Sequence, residues 1–209
     1  MTIELETERL ILKTLDSSYS KEVLKYYSAN KDFFETKMPS YETGYFTEEY
    51  QSEILEKSGK DTEPGNSVKF FIFLKNDKNR IIGDISVSNI VKGAFLSCHL
   101  GYKLDEKENG KGYALEALKK IIDYSFNELG LHRIEANIMP ANTRSIKLAA
   151  RLGFFNEGLS KNYLRINGKW EDHLHYVLLN KKFRMTILVF LSYFGILSRY
   201  NNYTNIIIN

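Results

Sequence analysis

The sequence contains a single cysteine and no marked excess of charge of either sign. Because Cys98 has no second cysteine to pair with, no disulfide can form within the chain, which suits a reducing cytoplasm. The 29 basic residues are nearly balanced by 26 acidic ones, and a net charge of +3 is too small to indicate nucleic-acid binding. Residues 1–4 lack the apolar segment of a signal peptide. We therefore expect a cytoplasmic protein that makes no direct contact with nucleic acid.

Long apolar runs are absent apart from one near the C-terminus, at residues 185–197. A helix of this length rises about 20 Å, short of the roughly 30 Å hydrocarbon core, so we expect no transmembrane span. The 209 residues, 43% of them apolar, are enough for one well-filled core. We predict one domain over residues 1–182 and an atypical tail over 183–209. This tail packs on its own domain, on a partner subunit or on a membrane, or it is an out-of-frame extension.

The spacing of apolar residues predicts alternating helices and strands. Helical spacing predicts helices at 19–30, 47–57, 113–130 and 142–152, and alternation predicts strands at 7–13, 67–74, 80–90, 94–104 and 133–139. A hairpin is predicted over 163–179, with Asn167-Gly168 at its turn. Because strands 94–104 and 133–139 flank a helix of crossover length, they should be parallel neighbours.

A glycine-rich turn, Asn109-Gly110-Lys111-Gly112-Tyr113-Ala114, joins a predicted strand to a predicted helix. Small residues at positions 110, 112 and 114 let successive backbone N–H groups face one point at the start of the helix. The helix dipole and the unpaired donors favour a phosphate at that point. The stretch is therefore a pyrophosphate cradle or only a turn, and by itself it does not choose between the two.

Six motifs occur in an order that resembles the RimJ-type branch of the GNAT family of N-acetyltransferases, over about residues 7–180. The resemblance implies the α/β (α+β) fold of acyl-CoA N-acyltransferases. This fold is a mixed, mostly antiparallel sheet with one central parallel strand pair that splays, and it has helices on both faces. The motifs are Thr7-Glu8-Arg9-Leu10, Leu100-Gly101-Tyr102, Gly110-Lys111-Gly112-Tyr113-Ala114, Ala136-Asn137 followed by Pro140-x-Asn142-x-x-Ser145, Leu152-Gly153-Phe154, and Tyr163-Leu164 to Trp170-x-Asp172-His173.

The same resemblance implies acetyl-CoA as the cofactor, with its pantetheine arm inserted between the two parallel strands. The family's phosphate motif, Gln/Arg-x-x-Gly-x-Gly/Ala, falls on Asn109, Gly112 and Ala114, and Asn109 departs from it. Asn142 either bonds the cofactor or only caps its helix. The expected cofactor-binding residues are Leu100, Tyr102, Leu104, Asn109, Gly110, Lys111, Gly112, Tyr113, Ala114, Asn142 and Arg144.

In this family the acceptor amine attacks the acetyl carbon directly, and coenzyme A leaves as a thiol. An α-amino group titrates near about pH 8, so modest base catalysis suffices. The candidates are Glu157, His99 and Asn137, of which Asn137 can only orient water or the acceptor, and each also has a purely structural interpretation. Many GNAT enzymes carry a tyrosine that protonates the thiolate at the position of Ala149, so no acid is assigned here. No metal ion is expected.

The resemblance implies a primary amine as the acceptor, and it favours the N-terminal alanine of a ribosomal or other protein. The alternatives are a small amine, such as a polyamine, a drug or an amino acid analogue, a non-catalytic acyl-CoA-binding module, or an interaction protein built around the tail. Acceptor choice is expected to lie in the aromatic stretch 33–46 and in the final hairpin. Homodimerisation is left open.

Overall fold

A computed structural model describes residues 2–35, 41–60 and 67–182, without the side chains of residues 59 and 60. The main compact unit runs from Met1 to Leu178, and a second unit begins at Leu179. The predicted tail, 183–209, lies outside the described residues. Within the described ranges, no helix is both long and apolar enough to cross a membrane.

A single eight-stranded sheet forms the centre of the main unit. Its strands are β1 (Glu4–Glu6), β2 (Leu10–Lys13), β3 (Ser67–Leu74), β4 (Asp77–Val91), β5 (Ser97–Leu104), β6 (Arg133–Ile138), β7 (Phe155–Ile166) and β8 (Lys169–Leu179). Their order is β1-β2-β3-β4-β5-β6-β8-β7. Neighbours from β1 to β5 are antiparallel, as are β7 and β8, whereas β5 and β6 are parallel.

Helices cover both faces of this sheet. On one side lie α1 (Ser20–Ala29), α2 (Lys31–Glu35) and α3 (Glu48–Lys60), and we call this side the α1 face. On the other side, the α4 face, lie α4 (Tyr113–Asn127) and α5 (Thr143–Arg151). Each face has its own apolar cluster, and adjacent β2 residues contribute to opposite clusters, Leu10 and Leu12 to one and Ile11 to the other. The predicted mixed sheet with helices on both faces is confirmed.

Two predicted elements differ from the structure because of local backbone turns. The strand predicted at 7–13 begins only at Leu10, as β2, since the backbone N–H of Thr7 donates to the carbonyl of Leu10 at 3.0 Å in the turn that joins β1 to β2. Strand β7 begins at Phe155, well before the predicted residue 163. Its register shifts twice, and Gly158 and Asn162 adopt positive φ of 144° and 49°, so the period-two pattern is lost there.

The parallel strands β5 and β6 stay paired over only part of their length. The register joins Ser97 to Arg133, Cys98 to Ile134 and His99 to Glu135, and in the described residues no pair follows. Strand β5 nevertheless continues to Leu104 and β6 to Ile138. The two strands therefore separate beyond His99, which confirms the predicted splayed pair and opens a wedge in the sheet.

Candidate active site

The wedge between β5 and β6 contains a cavity of about 310 Å³ that reaches both faces of the sheet. From the α4 face it is lined by apolar residues such as Leu118, Leu148 and Phe154. From the α1 face it is lined by polar side chains, which are Lys69, Asp84, Ser86, Lys103, Asn137 and His173. A ligand that enters on one side of the sheet can therefore meet a second ligand that enters on the other.

Beyond its last pair with β6, the backbone of β5 directs polar groups into this wedge. The N–H of Asp105 donates to the carbonyl of Ile82 at 2.8 Å, which makes these two residues a hydrogen-bonded pair between β4 and β5. Hydrogen-bonded and non-bonded pairs alternate along an antiparallel ladder. Leu100, Tyr102 and Leu104 therefore turn their N–H and C=O groups away from β4, towards the side that β6 has left. An extended ligand can use these groups as an added strand would.

The glycine-rich turn stands at the end of the wedge and opens α4. Gly110 and Gly112 have φ of +83° and +85°, a conformation that other residues adopt only with strain. Gly112 is the N-cap of α4, and no side chain caps the helix. The first helical bond runs from the N–H of Glu116 to the carbonyl of Gly112, so the N–H groups of residues 113–115 lack an intrahelical acceptor. These donors and the helix dipole suit a diphosphate.

Arg9, from the motif before β2, braces this turn. Its Nε donates to Glu116 Oε2 at 2.7 Å, its Nη1 donates to the Lys111 carbonyl at 3.1 Å, and the guanidinium lies 4.6 Å from the Tyr113 ring centroid. Glu116 also accepts from the Thr7 hydroxyl at 2.6 Å. Burial opposes ionisation of Glu116, but these hydrogen bonds outweigh it and hold its pKa below the usual value. The ionised carboxylate thus links the N-terminal motif to the cradle.

Asn109 uses its side chain within the turn. Its Nδ2 donates to the carbonyls of Asp105 and Glu106, both at 3.1 Å, which closes the short 3-10 turn at Glu106–Glu108. Its departure from Gln or Arg therefore has a structural role in the approach to the cradle. The Asn109 backbone remains next to the two glycines.

The remaining predicted cofactor side chains lie around the same end of the wedge. Lys111 pairs with Glu108 at 2.8 Å. Asn142 accepts the N–H of Ser145 at 3.3 Å and so caps α5, and it also lines the main cavity. Arg144 is exposed and lines a second cavity of about 90 Å³ together with Asn109 and Asn142.

A buried charged cluster forms the α1-face wall of the main cavity. Asp84, 3% exposed, accepts from the Tyr26 hydroxyl at 3.1 Å and lies 3.6 Å from Lys69 Nζ. Lys69 also donates to the Tyr27 hydroxyl at 2.6 Å. Lys103 is opposite Asp84 in the β4–β5 register, and burial lowers the pKa of its ammonium. Of the described residues that line the cavity, two lysines and one aspartate therefore carry charge.

Asn137 and His173 complete this wall on the side of the hairpin. Asn137 donates through Nδ2 to the Tyr163 hydroxyl at 3.2 Å, while its buried Oδ1 has no partner among the described residues. His173 Nδ1 lies 3.0 Å from the Glu171 carbonyl, which can only accept, so we assign the hydrogen to Nδ1 and the lone pair to Nε2 of the neutral ring. The wall thus offers two hydrogen-bond acceptors, Asn137 Oδ1 and His173 Nε2, of which only the imidazole nitrogen can also take up a proton.

Comparison with known proteins identifies the family. Residues 9–155 match the model of the acetyltransferase (GNAT) domain. The chain belongs to the GNAT acetyltransferase family. This GNAT chain is 36% identical over 172 residues to the ribosomal protein uS5-alanine N-acetyltransferase of Escherichia coli (strain K12). The aligned residues cover 82% of this chain and 88% of that protein.

Solved structures of other GNAT enzymes share the fold. The ribosomal-protein-S5-alanine acetyltransferase of Vibrio fischeri matches with a TM-score of 0.81 and 34% identity, over 85% of this chain and 97% of that chain. RimJ of Mycobacterium smegmatis, solved in complex with CoA-disulfide, matches with a TM-score of 0.76 and 28% identity, over 83% of each chain. The predicted family and fold are therefore confirmed, as are N-acetyltransferase activity and acetyl-CoA as the acetyl donor.

Two of the three predicted catalytic residues of this GNAT enzyme lie outside the set that lines the main cavity. Glu157 forms a bidentate pair with Arg133, at 2.9 and 2.5 Å, and the hydrogen bonds from that guanidinium hold its pKa below the usual value. His99 Nδ1 lies 3.1 Å from Asn89 Nδ2, and His99 Nε2 lies 3.8 Å from Glu135 Oε2. His99 and Glu135 are the last pair of β5 and β6 before these strands separate. Asn137 is the predicted residue that the fold brings into the cavity.

On the α4 face, two hydroxyl groups line the same cavity as the position that a tyrosine holds in many GNAT enzymes. Ala149 occupies that position and lines the cavity. Tyr102 Oη and Ser145 Oγ, 3.0 Å apart, line it as well. Burial raises the pKa of Tyr102, although the bond to Ser145 opposes the shift, so its hydroxyl keeps its proton at neutral pH. Burial also raises the pKa of Cys98 to about 12, which agrees with its predicted place in the core.

Proposed function

We propose that this GNAT enzyme acetylates the N-terminal α-amine of a cytoplasmic protein that begins with alanine, with a ribosomal protein as the foremost candidate. The observation that carries the proposal is the 36% identity, over 172 residues, to an enzyme named for that reaction on ribosomal protein uS5. The cavity through the sheet supports it, because it offers separate entrances for the acetyl donor and the acceptor.

On the donor side, the chain's backbone supplies most of the binding groups. In this proposal the N–H groups at the start of α4 hold the diphosphate, and Gly110 and Gly112 let it approach closely. The inward-facing groups of Leu100, Tyr102 and Leu104 bind the pantetheine arm as an added strand. Bound acetyl-CoA supplies the acetyl group as an activated thioester. The hydroxyls of Tyr102 and Ser145 are proton donors at the same end of the cavity.

On the acceptor side, Asn137 and His173 handle the amine. Asn137 Oδ1 accepts a hydrogen bond from the amine and so orients its lone pair towards the α4 face. His173 Nε2 accepts the proton that the amine loses on acylation. An α-amine with a pKa of about 8 is already partly neutral in the cell, so one imidazole suffices. Glu157 and His99 stay predicted contributors, through ordered water.

The charge of the acceptor wall argues against a polyamine acceptor. Lys69 and Lys103 outnumber Asp84 among the described charged residues that line the cavity. A polycation would meet a net positive charge in a partly desolvated site, where repulsion is strong. A protein N-terminus carries one amine followed by peptide carbonyls, which such a wall can accommodate.

An acceptor panel tests the proposal. Thiol release from acetyl-CoA and the intact mass of the product should be measured with an alanine-initiated basic peptide, the same peptide with a blocked N-terminus, and spermidine. We expect turnover with the free peptide only, and an increase of one acetyl group at its N-terminus. Turnover with spermidine alone, or equal turnover with the blocked peptide through its lysines, would refute the proposal.

A further inference from the structure

Lys103 occupies a central place in the acceptor wall. It lies on β5, opposite Asp84, and its side chain lines both the main cavity and the second cavity beside it. Along the strand it is two residues, or roughly 7 Å, beyond Gly101, which lines the same cavity. Lys103 therefore borders the space in which the acceptor is proposed to react.

The Lys103 ammonium has no hydrogen-bond acceptor or carboxylate partner among the described residues, although burial lowers its pKa. Its contacts are three aromatic rings, with centroids at 5.0 Å for Tyr27 and 5.8 Å for both Phe34 and Tyr41. Lys69 differs, because it donates to Tyr27 and lies 3.6 Å from Asp84. Among the described residues, these rings and the nearby charge of Asp84 compensate the charge of Lys103 only in part, and its three N–H donors remain available to a ligand.

An oxygen atom of the substrate can supply the hydrogen-bond acceptor that the Lys103 ammonium lacks among the described residues. Lys103 shares the α1 face with Asp84 and Lys69, whereas the cradle and the inward-facing β5 backbone serve the donor. The rings around the ammonium exclude water, so a hydrogen bond formed there is stronger than one in solvent. A primary amine satisfies this demand when the carbon that bears the amine also carries a carbonyl or carboxylate group.

We infer that Lys103 determines acceptor specificity by donating a hydrogen bond to a carbonyl or carboxylate oxygen of the acceptor. This oxygen is on the group attached to the amine-bearing carbon, so the enzyme selects α-aminoacyl acceptors. This inference rests on the proposed function and specifies its acceptor chemistry. The oxygen belongs to the first peptide carbonyl of a protein or to the carboxylate of a free amino acid. An amine of similar shape that lacks the oxygen gains nothing from Lys103.

The test compares Lys103→Met with the wild type on an alanine-initiated peptide, free alanine and isopropylamine. We expect kcat/KM to fall roughly 10–100-fold on an alanyl acceptor, as for the loss of a charge-assisted hydrogen bond, and to be unchanged on isopropylamine. Each amine is compared with itself in two enzymes, so its own pKa cancels. The alanyl acceptor that loses more identifies the source of the oxygen. Lys103→Arg should recover part of the loss.

Three controls keep the inference falsifiable. Lys78→Met removes the same charge in the exposed turn between β3 and β4 and should leave all three acceptors unaffected. Titration calorimetry should give an unchanged Kd for acetyl-CoA in Lys103→Met. An equal loss on isopropylamine, a weakened acetyl-CoA Kd, or no loss on any acceptor would overturn the role of Lys103. A wild-type enzyme that takes isopropylamine but no peptide would instead refute the proposed function.

Discussion

Replacement of Gly112 by valine separates the cofactor cradle from a simple turn. Gly112 has φ of +85°, where an L-residue is strained by about 1–3 kcal/mol. An added Cβ would lie 3.4 Å from Arg9 Nη2, which is an ordinary van der Waals contact, so steric cost in the fold is small. A domain of this size is stable by roughly 5–15 kcal/mol, so the variant should fold, with a Tm lower by about 2–12 °C.

Cofactor binding should suffer far more than the fold. The cradle works through backbone N–H groups at close range, and a branched side chain at position 112 hinders the approach of a diphosphate. We expect the acetyl-CoA Kd to rise at least about 100-fold, which corresponds to about 2.7 kcal/mol. Titration calorimetry measures the Kd, and thermal unfolding with and without acetyl-CoA measures both the strain and the loss of ligand stabilisation.

Gly93→Val is the matched control. Gly93 has φ of +71° in the exposed turn between β4 and β5, and an added Cβ would meet nothing within 4 Å. It should therefore reproduce the loss in Tm without the loss in affinity. If both variants lose the same stability and both keep wild-type affinity for acetyl-CoA, the reasoning about the cradle is wrong.

Two further predictions concern the acceptor wall. His173→Gln should lower kcat/KM about 100-fold, at the low end for general base catalysis, and should leave the acetyl-CoA Kd unchanged. His175→Gln, two residues along β8 and outside the cavity lining, is the control and should leave kcat/KM unchanged. Equal losses of kcat/KM in the two variants would contradict the role of His173. Lys103→Met should raise Tm at pH 7 by roughly 2–4 °C, about 1 kcal/mol, because an incompletely compensated buried charge is removed. Burial lowers the pKa of Lys103 in the folded state, so below this folded-state pKa the charged side chain destabilises the fold. This destabilisation disappears as the pH rises from the folded-state pKa to the unfolded-state pKa of about 10.4. A Tm difference that stays constant from pH 7 to 10 would count against the buried charge.

The turn proposed for the donor half was predictable because its signals are local in the chain. The positive φ at Gly110 and Gly112 and the start of α4 follow from residues within a short stretch, whereas the roles of Leu100 and Tyr102 were implied by the family resemblance. Backbone groups do this work, so the prediction did not depend on side-chain directions. Arg9 was noticed only as part of a motif, and its brace on Lys111 spans 102 residues.

The charged members of the proposed acceptor half were not predicted, since they are isolated charges in apolar strands. Asp84 and Lys103 each stand within a run of core residues, and a lone charge in such a run gives little indication of its partner. His173 was likewise noticed only as part of a motif, and its neighbours in the fold could not be predicted from the sequence. The predicted candidates His99 and Glu157 lie outside the cavity lining, because the register of β5 and β6 pairs His99 with Glu135 and the Arg133 guanidinium binds the Glu157 carboxylate.

The sequence by itself determined the antiparallel strands, the parallel strand pair and the glycine turn that begins α4, whereas the splay of that pair was implied by the family resemblance. These depend on periodicity and on backbone conformation, which neighbouring residues set. Only the tertiary structure decided which side chains share the wedge, because the pairing of β3, β4 and β5 places Lys69, Asp84 and Lys103 on one face. Strand register is a long-range property, and a shift of one residue would turn these charges to the opposite face of the sheet.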